Sequence, residues 1–186
     1  MAPAMASVLD PVVLPLAELH AARLDGELFA VDECFSPVDE VESLWLRAEA
    51  LRRSAGTRMM AELSTATWLF GVRAAAPRVH TMCVPRSDRI KVPPTPRYVV
   101  REVTHDPDDV ARVCGIGVTV PARTLFDLAL TKTEGRDDDA LGVLVRWPEL
   151  AEGCARRIEA ARNLPGKIDA LRSVGRWERM AAVSRR

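Results

Sequence analysis

Apolar residues recur with a helical period through the middle of the chain. Ala122, Leu125, Phe126, Ala129 and Leu130 fall at i, i+3, i+4, i+7 and i+8, with Leu128 widening the stripe, so the stretch Val118–Leu130 predicts an amphipathic helix that starts at about Pro121 and needs a core. Pro121 suits a first helical turn and pushes Val120 towards an extended cap conformation. Arg123 and Asp127 stand four apart on the opposite side and are expected to pair along the surface, for about 0.3 kcal/mol. Short β-branched runs broken by Pro and Gly precede this helix, and helical patterns follow it. It therefore joins a β-containing front to a helical back.

Met1–Val13 has no period and reads as a frayed lead-in. Leu16, Leu19 and Ala22 mark a short helix from Pro15 that Asp25-Gly26 ends. Two short strands, Glu27–Val31 and Cys34–Ser36, follow, joined at Asp32-Glu33. A helix followed by a hairpin is the outline of the end of a winged helix, in which the helix enters the major groove. Asp39, in an approximate capping box with Glu42, opens a second helix whose stripe is Val41, Leu44, Trp45, Ala48 and Leu51. Arg47, Arg52, Arg53 and Arg58 gather near its end, where cations suit the helix dipole. Ser64 caps a short helix closed by Gly71. The strongest strands are Val79–Val84 and Arg97–Val103. An acidic turn and a Val110–Thr119 hairpin lead into the central helix. Beyond it, Asp137-Asp138-Asp139 heads a helix through Trp147, Pro148 opens another through Arg162, and Lys167–Val183 makes the last after the Pro165-Gly166 break.

The 186 residues suit one domain with a small appendage, and 48% hydrophobic with 28% charged residues marks a globular chain. No run of eighteen apolar residues and no basic leader is present, which predicts a cytoplasmic protein without a membrane partner. Cys34, Cys83, Cys114 and Cys154 form no C-x-x-C pair and read as small buried hydrophobes.

The net charge of zero is a cancellation. Residues 1–50 carry two basic and ten acidic groups, and residues 151–186 carry nine basic and four acidic. That polarity bears on partners: phosphate backbones repel the front and attract the tail. Two sets of cations are candidates for DNA contacts. Arg86, Arg89 and Lys91 lie in a loop from Pro85 to Pro96 stiffened by four prolines, against one acid, Asp88. Arg172, Arg176 and Arg179 share the outer face of the last helix, whose inner face is Leu171, Val174, Trp177 and Ala181. A solvated hairpin connection and a solvated helix face are the plain alternatives. Glu27, Asp32 and Glu33 on the front hairpin are candidates for contacting a protein partner.

No catalytic constellation assembles. His20, His80 and His105 share no metal-ligand spacing, and no P-loop, dinucleotide fingerprint or G-x-S-x-G occurs. No metal, no cofactor and no enzymatic activity are expected.

The block Val118-Thr119-Val120-Pro121-Ala122-Arg123-Thr124-Leu125-Phe126-Asp127-Leu128-Ala129, after a Gly-containing hairpin, resembles the signature of AbiEi-type antitoxins of bacterial type IV toxin-antitoxin systems. Leu14–Leu28 is similar to the front of actinobacterial members, Leu63–Gly71 to the family's Ser-Ala-Ala helix, and Asn163–Lys167 to its Pro-Gly turn. Val120 stands where members often carry Ser, and little precedes Leu14 where the family has a complete winged helix-turn-helix. The resemblance implies a DNA-associated transcriptional regulator that represses its own operon and neutralises a nucleotidyltransferase-like toxin. Some similar proteins carry a restriction-type nuclease domain, but Asp88-Arg89-Ile90-Lys91 lacks its carboxylate spacing. The expected fold is α+β: a partial winged-helix-like segment at 1–40 packed on a mixed β-sheet, then an AbiEi-like domain at 41–186, β-containing over 41–119 and a helical bundle over 120–186. The alternative is a protein-binding module that neutralises a toxin or another partner without binding DNA.

Overall fold

The computed structural model of the chain describes residues 7–87 and 95–185. Helix α1 (Leu16–Leu24) leads into a two-stranded antiparallel hairpin of β1 (Leu28–Val31) and β2 (Cys34–Pro37). Its turn places Asp32 at φ 55, a left-handed conformation that Asp tolerates better than most residues. Leu9 and Phe35 exchange backbone hydrogen bonds of 2.8 Å, which ties the lead-in to β2. One helix and this hairpin are what the described residues hold of the expected winged-helix-like front.

Helix α2 (Leu44–Ala55) begins later than the Asp39-Glu42 pattern predicts. Ser43 is its cap, accepting a hydrogen bond from the Leu46 amide. The buried stripe is also rotated from the expected one. Leu46, Ala48, Ala50 and Leu51 face inward, whereas Val41 and Trp45, expected in the core, are exposed. Arg47 is buried instead: its guanidinium donates to the carbonyls of Trp68, Arg73 and Ala74 and pairs with Glu42.

The main sheet has the order β5-β4-β3-β7-β6. Strand β3 (Met60–Ala61) sits at its centre, antiparallel to β4 (His80–Pro85) and parallel to β7 (Ile116–Thr119). Strand β5 (Tyr98–Val103) lies parallel to β4, so the proline-rich segment between them is a crossover and not the hairpin connection considered as its plain reading. Strand β6 (Val110–Val113) pairs with β7 around Cys114 and Gly115, both at positive φ as a two-residue turn of this hand requires. At Gly117 a Cβ would lie 2.5 Å from the Met60 side chain, so the parallel β3–β7 pairing needs a residue without one.

Helix α3 (Leu63–Leu69) starts one residue before Ser64, with Glu62 at its cap position. The helical back is α4 (Pro121–Leu130), α5 (Arg136–Arg146), α6 (Leu150–Ala160) and α7 (Lys167–Ser184). Helix α4 runs between α3, α5, α6 and α7, with Pro121 at its first position as expected. Two large cores result. One lies between the sheet, α2 and the front hairpin, around Leu51, Trp68, Met82 and Ile116; the other lies among the back helices, around Leu125, Leu128, Leu144, Ile158 and Trp177. Because α4 is enclosed on nearly every side, the Arg123–Asp127 pair expected on the surface is inside, with both residues at most 6% exposed.

Candidate functional site

Among the described residues, the charged side chains that matter here fall into two groups: one locked inside, the other held outward. The locked set centres on Asp109, which closes a one-turn 3-10 helix (Pro107–Asp109) through a capping box with Asp106. Asp109 accepts from Arg123 at 2.6 Å and from Arg157 at 2.6 and 2.8 Å, while Arg123 also donates to Asp127 at 2.9 Å. This links the entry to the β6–β7 hairpin, α4 and α6. Burial alone would raise the Asp109 carboxyl, but the hydrogen bonds from Arg157 and Arg123 outweigh it and hold the group well below the usual range. A second clasp joins the start of α3 to β5, where Arg101 grips both oxygens of fully buried Glu62 at 2.6 and 2.7 Å. There burial wins and raises the Glu62 carboxyl, with Arg101 opposing.

The front acids are divided between the two fates. Asp32 turns inward: its side chain is 3% exposed, bonded to Arg97 and 3.2 Å from the His80 imidazole. Burial pushes its carboxyl up, yet His80 and Arg97 together hold it below its ordinary value. Glu33 is half-exposed and pairs with the other side of Arg97 at 2.7 Å. Glu27 alone of the three is exposed without a side-chain partner among the described residues. The hairpin therefore presents fewer free carboxylates than its sequence contains.

The outward set is best developed on α7. Ala170, Val174, Trp177 and Ala181 are buried against α5 and α6, which fixes the opposite face towards solvent. Trp177 is held by a 3.0 Å hydrogen bond from its Nε1 to Asp137 and by the Arg136 guanidinium 5.3 Å from its ring. Lys167 donates to the carbonyls of Glu159 and Ala161 at the end of α6, and Arg185 to that of Leu144 on α5, so both ends of α7 are fastened. On the exposed face, Arg172 makes only a loose 3.5 Å pair with Asp169, Arg176 pairs with Asp137 at 2.6 Å, and Arg179 has no acidic partner among the described residues. From Arg172 to Arg179 the helix rises about 10 Å, roughly three base steps of one nucleic-acid strand. Of the loop cations, Arg86 is exposed at the end of β4, and Arg89 and Lys91 lie outside the described residues. The α7 ridge and Arg86 are on different elements.

Among the described residues no cluster of three or more His, Cys, Asp or Glu could hold a metal ion. Cys34, Cys83 and Cys154 are buried and Cys114 is partly buried, all as free thiols. Burial pushes Cys34 and Cys154 up to about 12, far from a reactive thiolate. No helix among the described residues is long and apolar enough to cross a membrane.

The architecture defines an α+β domain in which a mixed five-stranded sheet is backed by helices. A family model described as AbiEi antitoxin C-terminal domain matches residues 59–174, from β3 to the middle of α7, and the chain belongs to that family. Antitoxin action is the regulatory role that membership carries, with a toxin as the implied partner. No curated protein matches the chain. The crystal structure of the RV2827C protein from Mycobacterium tuberculosis aligns over 97% of this chain and 77% of its own, at 14% identity and a TM-score of 0.43, a likeness too loose to refine the fold.

Sequence reasoning missed both the Asp109–Arg123–Arg157 clasp and the exposure of Val38, Val41 and Trp45. For the clasp, the only local signal was the i,i+4 spacing of Arg123 and Asp127. For the second, the acids Asp39, Glu40 and Glu42 interleaved with the apolar residues were the available sign of a solvent-facing segment.

Proposed function

We propose that this antitoxin-family chain is a DNA-associated regulator that represses its own operon. The supporting observation is the α7 ridge: Arg172, Arg176 and Arg179 stand on one outer face while the inner face is anchored by Trp177. Three guanidinium groups on a fastened helix can meet successive phosphates with little ordering cost. Such contacts position a protein on a duplex without reading bases, so this ridge supplies affinity and a second element supplies sequence preference. The loop cations Arg86, Arg89 and Lys91 are proposed as an additional backbone-contacting arm. Neutralisation of a nucleotidyltransferase-like toxin in a type IV pair, and a cytoplasmic location, complete this reading.

The test is binding of the full chain to duplex DNA spanning the promoter of its own gene, at several salt concentrations. The triple variant R172E/R176E/R179E is expected to lose most of the affinity and to flatten the slope of log K against log salt by about 2.7, the value for three phosphate contacts. Unchanged affinity and slope would dismiss the ridge as the DNA contact.

The acidity of the front supports a second reading, a module that docks a basic partner through Glu27, Asp32 and Glu33. Asp32 contributes there only as the buried brace of the turn, since its carboxylate is already engaged.

A further inference from the structure

Three exposed apolar residues cluster where the front hairpin passes into α2. Val38 is 58% exposed, Val41 80% and Trp45 63%. Of the four tryptophans, Trp68 and Trp177 are at most 1% exposed and Trp147 is partly covered, so Trp45 is the one standing mainly in solvent. Its backbone is fixed: it lies in the first turn of a Ser43-capped helix, and its carbonyl accepts from the Cys114 thiol at 3.5 Å. Acids lie on the same segment. Asp39 is exposed, Glu40 accepts from Ser7 at 2.9 Å, and Glu42 is 42% exposed while paired with Arg47. An exposed tryptophan on a segment that also carries exposed carboxylates favours a partner that brings apolar contact together with guanidinium groups, because the indole face attracts cations and the acids repel anions.

The same chain carries such a surface at its other end. The outer face of α7 alternates Ile168, 66% exposed, with Arg172, Arg176 and Arg179, and finishes on Val183, 72% exposed, beside Met180, 47% exposed. The apolar residues have no use in phosphate contact. The exposed charges also complement: Asp39, Glu40 and Glu42 accompany the patch, and Arg172, Arg176 and Arg179 line the ridge. We propose that the Val38–Val41–Trp45 patch of one copy docks the α7 ridge of a second copy, a head-to-tail association that masks the ridge. The two surfaces differ, so the contact is heterologous and not a two-fold dimer. This goes beyond the DNA reading and is measured without nucleic acid, so either can fail alone.

Sedimentation velocity on the full chain, over a range of concentrations, is expected to show association at low salt that weakens as salt rises. Acrylamide quenching of tryptophan fluorescence should fall as the complex forms, because the accessible indole is Trp45. Trp45→Ala should weaken association about thirtyfold, as expected for an anchoring aromatic. The decisive arm is a charge swap. A front variant (D39K/E40K) and a ridge variant (R172E/R176E/R179E) should each associate poorly alone and recover when mixed. A chain that stays monomeric at low salt overturns the proposal. So does association that leaves quenching and the Trp45→Ala variant unchanged, or a mixture that fails to recover.

Discussion

Arg123 and Arg172 are both helical arginines with an acid within one turn, yet one lies at the centre of the molecule and the other at its edge. Arg123 is 6% exposed and bonded to Asp109 and Asp127, whereas Arg172 is 77% exposed with a 3.5 Å contact to Asp169. What separates them is the number of sides from which their helix is packed. Helix α4 is enclosed by α3, α5, α6 and α7, so any charge on it must find a partner indoors; α7 is covered on one face only. A basic residue counts as surface potential only after the enclosed ones have been removed.

The widest separation between the two sites should appear in stability. Arg123→Ala leaves Asp127 and part of Asp109 uncompensated in the interior and is expected to cost about 3–5 kcal/mol in urea unfolding. A loss below 1 kcal/mol would mean that water reaches the clasp. Acid titration probes the same site. Asp109 is held below its unfolded value of 3.8, so the stability it supplies is complete above that value and is lost as pH falls through the folded value. Thermal midpoints measured downwards from neutrality should therefore drop on the acid side, and Asp109→Asn should flatten that drop while lowering the plateau. Arg157 is the intermediate case, 35% exposed and bonded to the same carboxylate, and Arg157→Ala is expected to cost about 1–2 kcal/mol once solvent screening is allowed for. Smallest of all, Arg172→Gln and Arg179→Gln should leave unfolding within about 0.5 kcal/mol of the parent while weakening DNA binding. If they destabilise as strongly as Arg123→Ala, the division into interior and edge collapses.

The central helix was legible because its Pro and its apolar period agree, and the β6–β7 hairpin because Cys114-Gly115 sits between two β-branched runs. The outward placement of Arg172, Arg176 and Arg179 followed from the inward stripe of α7. Less could be read where a tertiary partner decides. The pairing of Arg123 with Asp127 was readable, but its burial depended on α6 bringing Arg157 from far along the chain. Asp32 looks like an ordinary turn acid until β4 and the segment before β5 supply His80 and Arg97. Val41 precedes Ser43, the residue that begins the helix, so a helical period read through it has no structural counterpart there. Strand β3 is only two residues long and carries no pattern of its own.

That short strand has a consequence for the order of assembly. Met60 pairs with Cys83 on one side and with Gly117 on the other, so the middle of the sheet stays open until a distant stretch of chain arrives. Closing such a long loop is an entropic hurdle early in folding, and proteins dominated by such remote pairings reach their native state slowly. A nascent chain halted before Gly117 would keep one flank of β3 unsatisfied, and completion of the β-layer would coincide with the arrival of α4.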